Sequence, residues 1–145
     1  MTQADRGSIT GPRPQFLWGL FCDHFLMDAA GKSSFIGVFE RVGAATFPAV
    51  HKAMYLVFAL RGEPNAVGKG VVTVWTPDSA ILLSTPESPV QFSSEGRAML
   101  VHLVYDLNFA APGAYSVVLE VDGRPTGRMD LTVYTAAAPP GQTPA

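Results

Sequence analysis

From Met99 to Val133 apolar residues fall on every second position in three successive series, and that alternation limits the chain to a sheet with a buried face. Met99, Val101, Leu103, Tyr105, Leu107 and Phe109 form the first series, with His102, Asp106 and Asn108 among the residues on the other side. Tyr115, Val117, Leu119 and Val121 form the second, and Met129, Leu131 and Val133 the third. A period of two gathers each series on one side of a strand, whereas a helix needs spacings of three and four. Ala110-Ala111-Pro112-Gly113 and Asp122-Gly123-Arg124-Pro125-Thr126-Gly127 separate the series, and both have turn composition.

The rest of the chain reads the same way. Met54, Leu56, Phe58 and Leu60 alternate with Tyr55, Val57 and Ala59 before the turn residues Arg61-Gly62-Glu63-Pro64-Asn65. Val71 to Trp75 is β-branched and aromatic, and Thr76-Pro77-Asp78-Ser79 reverses it into Ile81-Leu82-Leu83, which makes a hairpin. Pro77, Pro86 and Pro89 rule out a long helix in this region, since proline lacks the amide donor and clashes in a helix interior. They leave Val90 to Phe92 room for a short edge piece. About eight strands, with turn signals between them, imply an all-β fold of two packed antiparallel sheets. The closing order of strand, Pro-Gly turn, tyrosine, strand, Asp-Gly hairpin and strand is similar to the end of immunoglobulin-like sandwiches. Tyr115 stands where their tyrosine corner would be, without the cysteines and core tryptophan of antibody domains.

Between Leu20 and Val42 two apolar, aromatic-rich runs flank Asp28-Ala29-Ala30-Gly31-Lys32-Ser33-Ser34, which has the composition of a tight reversal between paired strands. Ser34 to Val42 reads as one strand, with Ile36, Val38 and Val42 on a common face. Phe16 to Met27 has no β-branched residue and is apolar on both alternate faces, so a helix ending near Gly31 fits almost as well as the strand adopted here. The single cysteine lies in this run, in the triplet Cys22-Asp23-His24.

That triplet offers little chemistry. Cys22 and His24 would share a strand face, but two ligands do not make a structural zinc site, and His51 and His102 have no ligand-like neighbours in sequence. A rise of about 7 Å between positions two apart also makes a Cys–His nucleophile pair awkward. Asp23 reads as an acceptor that ties a strand to a loop. No nucleophile elbow, phosphate loop, zinc-protease or calcium-loop pattern occurs. The expected catalytic residues, metal ligands and cofactors are therefore none, and a non-enzymatic function is the reading favoured.

The 145 residues suit one domain, and 48% hydrophobic content supplies a core. Ten Lys and Arg against twelve Asp and Glu, scattered singly, leave a net charge of −2 and no basic patch, so nucleic acid is not an expected partner. One cysteine permits no internal disulfide, and the polar, Gly- and Pro-broken start does not read as a secretory signal. The twelve positions from Phe16 to Met27 fall short of the roughly 20 residues of a membrane helix. A soluble cytoplasmic protein is expected. Residues 1–14 read as a flexible arm, 15–135 as the sandwich, and 136–145 as a disordered Pro/Ala-rich tail.

If Met54, Leu56, Phe58, Val72, Val74, Met99, Val101, Leu103 and Tyr105 point inward, then Tyr55, Val57, Val71, Trp75, Leu100, Val104 and Val118 point outward. Several large apolar residues adjoining on a sheet surface would mark a partner site. Tyr55, Val57, Trp75, Leu100 and Val104 are accordingly the expected interaction residues.

The chain resembles a family of small uncharacterised bacterial proteins, a domain of unknown function. The resemblance rests on Cys22-Asp23, Gly31-Lys32-Ser33-Ser34, Ile36-Gly37-Val38-Phe39, Phe47-Pro48-Ala49-Val50-His51, Pro112-Gly113-Ala114-Tyr115 and Val121-Asp122-Gly123, across residues 16 to 134. It implies a β-sandwich and assigns no functional residue. Two functions follow as expectations. One is a non-enzymatic interaction or assembly module that pairs with itself or another protein through an apolar sheet face or edge strand. The other is a small-molecule-binding or hydrolytic protein with a site near Asp23, His24, His51 and His102, which requires those side chains to converge.

Overall fold

A computed structural model of the chain describes residues 13–137. Ten strands run in it: β1 Gln15–Met27, β2 Ser33–Phe39, β3 Arg41–Ala44, β4 Ala49–Arg61, β5 Val67–Trp75, β6 Ile81–Ser84, β7 Ser88–Gln91, β8 Arg97–Phe109, β9 Gly113–Val121 and β10 Arg124–Thr135. The expected arm and tail lie almost wholly outside the described residues. The alternating series become β8, β9 and β10, and Phe16 to Met27 is strand, within β1. No helix of the described residues is long and apolar enough to cross a membrane.

The strands form two sheets, one in the order β2-β1-β4-β8 and the other β3-β10-β9-β5-β6, with β7 also on β5. Between them Met54, Leu56, Phe58, Leu60, Val72, Val74, Tyr115, Val117, Leu119 and Leu131 are almost fully buried in one core. Tyr115 donates its hydroxyl proton to the Ala111 carbonyl oxygen at 2.6 Å, which is the tyrosine corner expected from sequence.

Two expectations about strands are corrected. Ser34 to Val42 is not one strand: β2 ends at Phe39, and after Glu40 the chain crosses to the other sheet as β3. There it pairs parallel with β10, Val42 against Val133, so the sandwich is not wholly antiparallel. The Arg41 guanidinium lies 4.3 Å from the centre of the Tyr134 ring, and a cation over an aromatic face helps hold this short edge piece.

The inward face of β8 is also not the one its alternation suggested. Leu100 and Val104 point into the core, and only Leu107 and Phe109 of the expected series do so. Asp106 has φ 53°, a left-handed residue that shifts the alternation by one position. Its partner strand shifts with it, because His51 lies against the inward Phe39 ring while the next fully buried position is Met54. Pairing from Ala49↔Phe109 to Arg61↔Arg97 keeps one register throughout, so the change of face leaves the ladder intact. A series that is apolar on both faces cannot reveal which face is inward.

Candidate functional site

The outer face of the four-stranded sheet is apolar in register. Paired residues point to the same side, so Cys22↔Tyr55↔Leu103, Leu20↔Val57↔Val101 and Trp18↔Ala59↔Met99 make three apolar rows across β1, β4 and β8. Cys22 and Val57 are both 0% exposed, yet neither belongs to the core between the sheets. Something therefore covers them from outside.

The cover is the far half of the β1–β2 hairpin. β1 pairs with β4 only as far as Cys22↔Tyr55, and beyond that point it runs with β2 alone. At Gly37, φ 71°, the hairpin bends, and a Cβ there would come 2.5 Å from Asp23 Oδ2, so the Asp23 side chain fills the space glycine leaves. Phe25 and Phe35 then stack at 5.5 Å, Phe25 reaches the Tyr55 ring at 6.0 Å, and Phe35 meets Trp18 edge-on at 5.9 Å. Trp18 and Phe25 are seven positions apart, roughly 23 Å along a straight strand, so two rings that both touch Phe35 require the hairpin to curl over the sheet. A bulge between Phe16 and Trp18 supplies the other change of face and explains why this run is apolar on both sides.

The cover stops short of β8. Met99 and Val101 remain half-buried, Leu103 is 37% exposed, Tyr105 66%, and Trp18 at the margin 44%. Among the described residues β8 is also the last strand of its sheet, with β4 as its one partner there. From Ala98 to Tyr105 it carries no acidic or lysine side chain of the kind that usually blocks an edge. This is an apolar margin beside an open edge.

The five residues expected to form one interaction patch are dispersed. Leu100 and Val104 are core, because the face of β8 is the reverse of that expected. Val57 lies on the outer face but is fully buried there, between Leu20 and Val101. Trp75 is on the other sheet, away from Tyr55, which alone of the five sits at the apolar margin. Trp18, Phe25 and Phe35 were not anticipated as part of it, since their grouping depends on the curl.

Asp23, His24, His51 and His102 do not converge. His24 is exposed, Asp23 packs on Gly37, and His51 lies 5.6 Å from the Phe39 ring. His102 makes a 3.3 Å hydrogen bond with Ser88 Oγ of β7, and burial lowers its pKa from the ordinary 6.5. Burial, then the adjacent Asp23 charge, pushes the Cys22 thiol above its usual range, away from a reactive thiolate. No group of three or more His, Cys, Asp or Glu that could hold a metal occurs among the described residues.

The outer face of the six-stranded sheet is different in kind. Trp75, Ser116 and Asp130 lie in one row across β5, β9 and β10, and Thr73, Val118 and Arg128 in the next. Ala114 and Ser116 on β9 are small, and with Val118 beside them they floor a depression of about 430 Å³ between Trp75 and the Arg128–Asp130 ion pair.

A family model matches residues 17–134, from the third residue of β1 to the last but one of β10. The chain belongs to DUF6941, a family of unknown function. That span contains both sheet faces described above, so the curled hairpin and the depression are part of the DUF6941 domain. No curated protein matches the chain. Among solved structures it is similar to an alkylpurine DNA glycosylase of Pseudomonas fluorescens bound to DNA containing an abasic site analog. That match has 12% identity and a TM-score of 0.48, over 65% of this chain and 27% of that one. A β-glucosidase from Listeria innocua matches at 9% identity and a TM-score of 0.42, over 83% of this chain and 16% of that one. The chain thus spans less than a third of either enzyme. An immunoglobulin-like protein from Pseudomonas aeruginosa matches at 13% identity and a TM-score of 0.37, over 86% and 94% of the two chains.

Proposed function

We propose that this DUF6941 protein is a non-enzymatic assembly module whose β8 edge pairs with β8 of a second copy. The supporting observation is the apolar margin of Met99, Val101 and Leu103, continuous in register with the covered rows of β4 and β1 and ending at an open strand edge. Antiparallel pairing of two β8 strands would give their outward backbone groups partners and extend the apolar face across both copies. A net charge of −2 opposes that approach only weakly. The dispersal of Asp23, His24, His51 and His102 leaves the small-molecule or hydrolytic reading at those residues without support.

Size-exclusion chromatography with light scattering at two concentrations tests the proposal. The expected mass rises toward that of a dimer with concentration, and Leu103→Lys, which places a charge on the margin, returns it to the monomer. Ile81→Lys, on the opposite sheet, is expected to leave association unchanged. A monomer at every concentration would overturn the reading.

A further inference from the structure

We infer that the depression on the six-stranded sheet binds a neutral saccharide, one sugar ring lying between Trp75 and the Arg128–Asp130 pair. The site follows from side-chain size in register. On β9 the outward Ala114 and Ser116 are small, while the flanking strands carry Trp75 on one side and Arg128 and Asp130 on the other. Two strand spacings, roughly 9.5 Å, separate the walls, and the volume of about 430 Å³ falls within the range of small-ligand sites.

One wall is held in place before any ligand arrives. The Thr76–Ala80 turn is closed by Thr76 N–H donating to the Ala80 carbonyl at 2.8 Å and Ala80 N–H donating to Thr76 Oγ1 at 2.9 Å. Pro77 of that turn packs on Gly113 at the start of β9, where a Cβ would come 2.6 Å from the proline ring. A preformed wall reduces the ordering cost of binding.

Charge then selects the ligand. Arg128 Nε donates to Asp130 Oδ1 at 3.1 Å with both side chains well exposed, so the pair presents no net charge. A fixed anion or cation attracted by one member of the pair would be opposed by the other a few ångströms away, so neither charge is favoured. The site still offers the accessible part of the half-buried Trp75 side chain, further guanidinium donors, carboxylate acceptor capacity and the Ser79 and Ser116 hydroxyls, a lining more polar than apolar. A sugar ring matches that combination, with C–H groups for the aromatic side and hydroxyls that both donate and accept.

The test is an amide NMR titration of the full chain with neutral gluco-, galacto-, manno- and N-acetylglucosamine oligosaccharides, with sodium phosphate and lysine amide as charged probes. At least one oligosaccharide should give saturable shifts at Ala114, Ser116, Arg128 and the Trp75 indole. Trp75→Ala and Asp130→Asn should each weaken it roughly tenfold or more, the effect of losing one good contact. Unchanged spectra elsewhere would show that both variants fold, and Asp130→Asn changes a residue that is largely exposed. No saturable shift with any oligosaccharide to about 10 mM, tenfold above the roughly 1 mM dissociation constant of a weak ligand, would overturn the inference. So would binding by both variants as tight as that of the unaltered chain, or saturation of the same residues by the charged probes instead.

Discussion

Tyr115 does two jobs with one side chain. Its ring sits edge-on to Phe109 at 4.9 Å inside the core, while its hydroxyl ties the chain four residues upstream at Ala111. Tyr115→Phe keeps the ring and loses the hydrogen bond, so a stability loss of about 1 kcal/mol is expected in urea unfolding, with the fold retained. At Gly37 the positive φ and the Asp23 side chain act together. Gly37→Ala should cost at least roughly 1–2 kcal/mol from the backbone alone, and Asp23→Ala in the same chain should recover only the part due to the clash, as a double-mutant cycle would show. His102 sets a pH dependence. Its folded pKa is below the unfolded 6.5, so its contribution is complete above that value and is lost as pH falls through it, because the unfolded chain takes up the proton first. Melting temperature should therefore drop between about pH 7.5 and pH 5, and less steeply in His102→Gln.

At the scale of the element, the β1–β2 hairpin serves both as a sheet edge and as its own lid. Its near half pairs with β4 and sends Phe21 into the core, while its far half brings Phe25 and Phe35 back over Trp18 and Tyr55. Phe35→Ala should remove the ring joining the two halves, at about 1–3 kcal/mol for a partly buried side chain. The same variant should uncover Val57 and Cys22, read as faster thiol labelling of Cys22 in the native state. The hairpin itself was legible, since Asp28 to Ser34 has turn composition and Ile36 and Val38 favour strand. The bend was not. Gly37 reads as an ordinary strand glycine until its φ is known, and a bulge near Phe16 leaves no mark in a run that is apolar at nearly every position. β8 shows the same limit: Asp106 looks like one polar residue on an outer face, and only its left-handed backbone turns Leu100 and Val104 inward.

Across the whole molecule, the two outer faces divide the surface by chemistry. One is apolar, covered by its own hairpin over Cys22 and Val57 but exposed along β8 and at Trp18 and Val38, and the other is small and polar between a tryptophan and an ion pair. The expected concentration-dependent dimer and the expected saccharide site lie on opposite sheets, so Leu103→Lys should abolish association without altering the Trp75 shifts, and Asp130→Asn should do the reverse. Alternation every second residue, turn residues at fixed places and a tyrosine after a Pro-Gly turn determined that this chain is a two-sheet β-sandwich, because strand period and turn chemistry are local properties. Which face of each strand is buried, which rows adjoin and what covers Cys22 were decided only by tertiary structure. Single residues at Asp106, Gly37 and the β1 bulge reverse a face, and register between distant strands brings Trp75 to Asp130 and Phe35 to Trp18.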